Sequence, residues 1–88
     1  MNVIFKQQFV KQIDKLVDKK LKARLLEIIT GVESYESHTE ITDLKKLKGY
    51  KNFYRIRIGD YRIGIKIENE IITFAAFYHR KDIYKHFP

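Results

Sequence analysis

The sequence predicts an α+β fold in which an antiparallel two-helix hairpin packs on one face of an antiparallel β-meander sheet. Two observations support this prediction. Apolar residues recur at helical spacing in the first part of the chain, and apolar and basic residues alternate with period two from Phe53 to Ile67. A short N-terminal strand and a short C-terminal helix or tail complete the architecture. The 88 residues suffice for a single domain, residues 1–88.

The elements before residue 44 follow from apolar spacing. The apolar run Asn2–Phe5 predicts the first strand. Two groups of apolar residues then predict two helices with buried faces: Phe9, Ile13, Leu16 and Val17, followed by Leu21, Leu25, Ile28, Ile29 and Val32. We expect Asp18 to cap the second helix and Gly31 to weaken or end it. The short link between the helices favours an antiparallel hairpin, and the polar, aperiodic residues 33–43 predict a loop.

The long alternating stretch predicts a β-hairpin that turns at Gly59-Asp60. The turn fixes the register, so that Arg57 faces Arg62 and Arg55 faces Gly64 on one side of the sheet. The other side then carries the apolar pairs Ile58–Tyr61, Ile56–Ile63 and Tyr54–Ile65, which we assign to the core. Because Gly64 lacks a side chain, we expect open space above it, beside Arg55.

This register predicts a cationic sheet face. Like charges directly opposite each other destabilise a sheet, so folding has no need of the arginines or of Lys66 farther along. A bound anion explains them, and a phosphate suits the fork geometry of the guanidinium group. The alternative interpretation is an ordinary solvated face.

The third strand of the meander is predicted from Ile71 to Tyr78, after a turn at Asn69-Glu70. A two-residue loop there places Ile72, Phe74 and Ala76 on the core face. It places Thr73, Ala75, Phe77 and His79 on the arginine side. In the C-terminal tail, Ile83 and Phe87 are four residues apart and are expected to pack the tail onto the sheet.

Composition narrows the functional classes. The formal charge of +7 lies entirely in residues 44–88, which predicts a polyanionic partner on one surface, although solubility alone is an alternative explanation. The chain has no cysteine, which suits a reducing compartment and excludes thiolate zinc sites. The longest apolar run is too short to span a bilayer. We therefore expect a cytoplasmic protein without membrane contact.

The chemistry that the residues allow is cleavage of RNA. The sequence has no nucleotide-binding glycine loop, serine triad or convincing metal site, so no cofactor or metal is expected. His79, Arg80 and Tyr84 follow the third strand near the predicted arginine face. The RNA's own 2′-hydroxyl would attack the adjacent phosphate, arginines would stabilise the transition state, and His79 or Tyr84 would move protons. Tyr84 and Phe77 are also candidates for stacking on a base. The alternative is that these side chains are structural.

The chain resembles the RelE/ParE toxin superfamily of toxin–antitoxin systems, and specifically its RelE side. Three segments carry the resemblance: Leu47-Lys48-Gly49, residues 54–62, and residues 79–84. The resemblance implies an mRNA interferase that cuts the message in the ribosomal A site. It also implies a cognate antitoxin, which we expect to be acidic and DNA-binding and to cover the site. The toxin–antitoxin complex is expected to bind operator DNA.

The resemblance carries over a set of catalytic positions. These are Arg55, Arg57, Arg62, Arg80 and Tyr84, to which the residue-based reasoning adds His79. We expect RNA contacts from Lys45, Lys46, Lys48, Lys51, Lys66, Phe77 and Lys81. Some family members have lysine where this chain has Arg55 and Arg57, and an arginine cannot readily accept a proton. The general base is therefore open between His79, Glu40 and Asp43, and a modest reaction rate is the remaining alternative.

Two other functions remain open at this point. One is a ParE-like protein that inhibits DNA gyrase without cleaving anything. The other is an inactive module of the same fold that binds RNA or an antitoxin. His79-Arg80 and Tyr84 favour the nuclease, because a pure binding protein does not need them.

Overall fold

The computed structural model describes all residues 1–88. Along the chain it contains β1 (Asn2–Phe5), α1 (Gln7–Asp14), α2 (Lys19–Ser34), a 3₁₀ turn (His38–Glu40), β2 (Leu44–Lys46), β3 (Phe53–Ile58), β4 (Tyr61–Glu68), β5 (Ile71–His79) and α3 (Ile83–His86). The strands form one sheet in the order β1-β5-β4-β3-β2. The predicted α+β architecture is confirmed. Two features are additional. The strand β2 was not predicted, and β1 pairs in parallel with β5, whereas all other neighbours are antiparallel.

The helical hairpin forms as expected, with two local differences. The Asp18 carboxylate accepts a hydrogen bond from the Leu21 backbone N–H at 3.0 Å, which confirms it as the cap of α2. Gly31 does not end α2, which continues to Ser34. Val17 is not a core residue, because it lies in the link between the helices and is 92% exposed. None of the helices combines the length and the apolar character that spanning a bilayer requires.

The β3–β4 hairpin has the predicted register. Arg57 pairs with Arg62, Arg55 with Gly64, and Ile56 with Ile63. Gly59 has a φ of 59°, the left-handed conformation that the tight turn requires and that glycine adopts without strain. The apolar side of the hairpin enters a core of thirteen buried residues, which includes Phe9 of α1 and Leu25 of α2.

The β4–β5 hairpin departs from the prediction halfway along. Its two-residue turn is Asn69-Glu70, as expected, and both residues have positive φ. Gly64 pairs with Ala76 but its neighbour Ile65 pairs with Phe74, so one extra residue bulges out of β5. Beyond such a bulge every side chain changes face. The prediction is correct up to the bulge and wrong after it.

The bulge corrects the placement of three residues. Ala76 lies on the arginine side of the sheet, where it packs with Ile83 and Phe87. Phe77 lies on the helix side, 5% exposed within the core, and its ring stacks on Tyr61 at 5.1 Å. His79 pairs with Tyr61 and its ring meets the Tyr61 ring edge-on at 5.5 Å, so it also lies on the helix side.

The C-terminal segment packs on the arginine side of the sheet, as Ile83 and Phe87 predicted. Both side chains are buried in a second, smaller apolar cluster with Leu47 and Ala76. The expected open space above Gly64 does not exist. A Cβ atom on Gly64 would lie 2.6 Å from the Phe87 ring, so the glycine makes room for an aromatic residue of the tail.

Candidate functional site

Four arginines meet at the end of the sheet where β3 and β4 join; we refer to Arg55, Arg57, Arg62 and Arg80 as the arginine cluster. Arg57 and Arg62 are directly paired across the two strands. Arg80 follows β5, and its backbone N–H donates a hydrogen bond of 2.8 Å to the carbonyl of Asp60 in the β3–β4 turn. This hydrogen bond holds the segment after β5 against the turn and brings Arg80 to Arg62.

The electrostatics of Arg62 show how closely these groups lie. Its pKa is lowered, first by burial and then by the positive charges of Arg55, Arg57 and Arg80. Tyr84 raises the pKa of Arg62, because the negative charge of an ionised phenol would favour the charged guanidinium group. Arg55, Arg57, Arg80 and Tyr84 therefore all lie close enough to Arg62 to influence its charge.

The positive charge of the cluster is largely uncompensated. Arg80 alone has a carboxylate partner: its Nε lies 3.8 Å from Asp60 Oδ1, and the two side chains are 56% and 76% exposed. Such an exposed pair contributes little to stability. Arg55, Arg57 and Arg62 form no salt bridge.

Main-chain carbonyls orient two of these side chains. Arg62 Nη1 donates to the carbonyls of Gly59 and Tyr61 at 2.9 and 2.8 Å. Arg55 Nη1 donates to the carbonyl of Asp43 at 3.2 Å, while its buried Nε has no partner. The neutral carbonyls fix the guanidinium groups in place without cancelling their charge, which leaves that charge available to a ligand.

The predicted RNA-binding lysines fall into two groups. Lys45 of β2 pairs with Arg55 and extends the cationic face, while Lys46 and Lys48 line a cleft beside it. Lys81 is exposed next to Arg80. Lys51 and Lys66 lie elsewhere. Lys66 is four residues from Arg62 along β4, about 13 Å away, and its Nζ lies 3.6 Å from Glu68 Oε1. Lys51 lines a different cleft, together with Glu68.

Two predicted site residues lie on the wrong face. Phe77 is buried in the core and is not available to stack on a base. The His79 ring is turned toward Tyr61, and its Nδ1 accepts a hydrogen bond from the Lys81 backbone N–H at 3.1 Å. The structure therefore separates both residues from the arginine cluster, and the reason is the β5 bulge.

Comparison with known proteins identifies the family. The sequence model described as "ParE toxin of type II toxin-antitoxin system, parDE" matches residues 3–84. The chain is also 43% identical to Toxin RelE3 of Methanocaldococcus jannaschii over the full length of both proteins. The chain belongs to the RelE/ParE toxin superfamily. It is a RelE-like toxin of a type II toxin–antitoxin system.

Solved structures of archaeal RelE proteins share its fold. The RelB–RelE antitoxin–toxin complex from Methanococcus jannaschii contains a chain that is 39% identical, with a TM-score of 0.82 and coverage of 97% of this chain and 99% of that one. The RelE–RelB complex from Pyrococcus horikoshii OT3 contains a chain that is 28% identical, with a TM-score of 0.73 and coverage of 93% and 97%.

The structure distinguishes between the loop carboxylates of this RelE-like toxin. The Glu40 carboxylate is engaged within its own loop, because its Oε2 accepts hydrogen bonds from the backbone N–H groups of Glu36 and Ser37 at 2.8 and 3.1 Å. Asp43 lies beside the cluster, since its carbonyl binds both the Arg57 backbone N–H and Arg55 Nη1. Its carboxylate has no hydrogen-bond or salt-bridge partner. Of the two loop acids, Asp43 is therefore the one whose backbone lies beside the arginine cluster.

One residue near the site was not found from the sequence, and another does more than was predicted. Phe87 packs the tail onto the sheet as expected, and its position over Gly64 also sets the course of the tail that carries Tyr84. Tyr50 was not singled out, and it lines the same cleft as Lys46, Lys48 and Tyr84. Gly64 itself was the available signal for Phe87, because a glycine inside a strand often marks a close approach by another group.

Proposed function

We propose that this RelE-like toxin is a ribosome-dependent endoribonuclease that cleaves mRNA in the ribosomal A site. The observation that supports this most strongly is the arginine cluster, in which only Arg80 has a carboxylate partner. The pKa of Arg62 is lowered first by burial and then by the positive charges of the other three arginines. Such a group of charges is unfavourable for folding and favourable for binding a phosphate. The similarity to archaeal RelE proteins supports the same conclusion.

The proposed reaction uses the RNA's own nucleophile. The 2′-hydroxyl attacks the adjacent phosphorus, and the bond to the 5′-oxygen of the next nucleotide breaks. Arg62 and Arg57, paired across the hairpin, would hold the phosphate oxygens, and Arg55 and Arg80 would add positive charge beside them. Because main-chain carbonyls orient Arg55 and Arg62 before the substrate arrives, these two can stabilise the additional negative charge of the transition state with little reorganisation.

The proton steps are assigned by position. Asp43 would take the proton of the 2′-hydroxyl, because its carboxylate is unpartnered and its backbone is hydrogen-bonded to Arg55 and Arg57. Tyr84, 63% exposed and coupled electrostatically to Arg62, would donate a proton to the leaving oxygen or orient the base. We do not assign a proton step to His79, which faces the other side of the sheet.

The partners follow from the same charge distribution. Lys45, Lys46, Lys48 and Lys81 would contact the backbone of messenger or ribosomal RNA near the cluster. An acidic antitoxin of the RelB type would neutralise and cover the arginine cluster, and the complex would bind operator DNA. The structures of RelE–RelB complexes from two archaea support this assignment.

Cleavage of a message on programmed ribosomes tests the proposal directly. Wild-type protein should produce breaks at codon boundaries that depend on translation. Arg62→Ala and Arg80→Ala should remain folded and lose cleavage, Asp43→Asn should slow it about 10²–10⁴-fold, and His79→Ala should retain most of it. Lys19→Ala, an exposed lysine of α2, is the matched control. Full activity in both arginine variants would remove the proposed site.

A second candidate is inhibition of DNA gyrase, because the family model that matches residues 3–84 describes ParE toxins. An arginine-rich face could bind a protein partner without any chemistry. Supercoiling by purified gyrase in the presence of the toxin, together with an SOS reporter in cells, separates the two functions. Inhibited supercoiling with intact messages would replace the nuclease by the gyrase inhibitor.

A further inference from the structure

A second cationic cleft lies beside the arginine cluster. It has a volume of about 440 Å³ and lies between the C-terminal tail and the chain that comprises β2 and the segment after it. Its lining residues are Lys45, Lys46, Leu47, Lys48, Tyr50, Tyr84, Phe87 and Pro88. The cleft is continuous with the cluster at two points. Lys45 pairs with Arg55 across the sheet, and Tyr84 is coupled electrostatically to Arg62.

The lining of the cleft combines positive charge with exposed aromatic rings. Three lysines line it, none of them in a salt bridge, and no carboxylate side chain is present among the lining residues. Tyr50 and Tyr84 are 49% and 63% exposed, so both present ring surface to solvent. Lysines attract a phosphate backbone, and exposed aromatic faces bind bases that are not paired in a duplex.

Tyr50 is held in place by a chain of aromatic contacts. Its ring meets Phe53 edge-on at 5.9 Å, and Phe53 meets Phe87 edge-on at 5.5 Å. Phe87 in turn is buried against Gly64. The Tyr50 backbone N–H also bonds to the Leu47 carbonyl at 3.3 Å. An exposed ring that its neighbours already orient loses little conformational freedom on stacking against a ligand.

We infer that this cleft binds the single-stranded RNA segment next to the scissile phosphate, with one unpaired base stacked on Tyr50. The inference rests on the proposed nuclease function, since it places the flanking nucleotides of the same substrate. The phosphates of the segment contact Lys45, Lys46 and Lys48, and the strand passes Tyr84 on its way to the arginine cluster. Stacking accepts any base, so the cleft fixes the strand without selecting its sequence.

Binding of a labelled 2′-O-methyl oligouridine, which cannot be cleaved by 2′-hydroxyl attack, tests the inference by fluorescence anisotropy. Tyr50→Ala should weaken binding of the single strand about fivefold or more, and Tyr50→Phe should restore it. Replacing Lys46 and Lys48 by alanine should weaken binding and reduce its salt dependence. Replacing Lys19 and Lys20, exposed at the start of α2, should change it much less. When the same strand is annealed to its complement, its affinity for the protein should not change on Tyr50→Ala.

The outcomes separate this inference from the proposed function. If Tyr50→Ala binds the single strand as well as wild type, the cleft proposal is wrong, whatever the ribosome cleavage assay gives. If the lysine variants lose binding to polyglutamate but not to the oligonucleotide, the cleft is a site for an acidic protein segment, and the RNA assignment is overturned. If single-strand binding depends on Tyr50 but ribosomes yield no cleavage, the nuclease proposal fails while the cleft remains an RNA-binding site.

Discussion

The contact between Gly64 and Phe87 gives a prediction that reverses sign with context. Replacing Gly64 by alanine would put a Cβ atom 2.6, 2.7 and 2.8 Å from three atoms of the Phe87 ring, whereas ordinary contacts are 3.4–4 Å. The ring must therefore retreat by about 1 Å from a position in which it is only 6% exposed. Overpacking of this kind costs about 1–3 kcal/mol of unfolding free energy.

The same substitution should stabilise the protein once the ring is gone. Within a strand, alanine is more stable than glycine by about 0.5–1 kcal/mol, so Gly64→Ala should be favourable in a Phe87→Ala background. A double-mutant cycle measured by urea unfolding and far-UV circular dichroism should give a coupling of about 2–3 kcal/mol. Phe87→Ala alone should be destabilising by about 3 kcal/mol. Additive effects of the two substitutions would refute the contact and, with it, the docking of the tail.

Three further predictions concern the two faces of the sheet. Arg57→Thr should raise stability by about 0.2–1 kcal/mol, because it removes a like charge opposite Arg62. The depressed pKa of Arg62 means that folding disfavours its charged form. Because arginines stay protonated from pH 6 to 9, urea unfolding should show the same gain in stability for Arg57→Thr throughout that range. Charge reversal of Lys45 and Lys46 should weaken ribosome association and flatten its salt dependence, measured by cosedimentation; an unchanged slope would contradict their role. Phe77→Leu should lower stability by about 1 kcal/mol and leave oligonucleotide binding unchanged. Unchanged stability with weakened oligonucleotide binding would instead place Phe77 on the arginine side of the sheet.

The features predicted correctly from the sequence depend on local chemistry. A glycine that must adopt positive φ fixes the β3–β4 turn, and the alternation of apolar and basic residues then leaves one possible register. The cap at Asp18 and the second turn at Asn69-Glu70 follow from the same kind of short-range rule. The grouping of Arg55, Arg57 and Arg62 was predictable because it required nothing beyond that register.

The features predicted wrongly depend on contacts between distant parts of the chain. A bulge changes every following side chain, and period-two counting cannot place it. One signal was present: Phe74 and Phe77 are both large and apolar, yet their odd separation would place them on opposite faces of a regular strand. Both are buried in the same core because Ala75 is the extra residue between them. The occupant of the space above Gly64 lies 23 residues later, and the spacing of Ile83 and Phe87 predicts packing on the sheet without identifying the residue that Phe87 covers.

The division of the arginine side of the sheet supports a role for the tail in the proposed function. Where Ala76 and Gly64 offer no side-chain bulk, Ile83 and Phe87 cover the sheet and form an apolar cluster. Toward the β3–β4 turn the tail leaves the face uncovered, and there Arg55, Arg57 and Arg62 have no carboxylate partner within the chain. Tyr84 lies between the two buried anchors of the tail and remains exposed at this boundary. The anchors therefore stabilise a position for Tyr84 beside the cluster, so that weakening them should reduce cleavage even when all four arginines are intact.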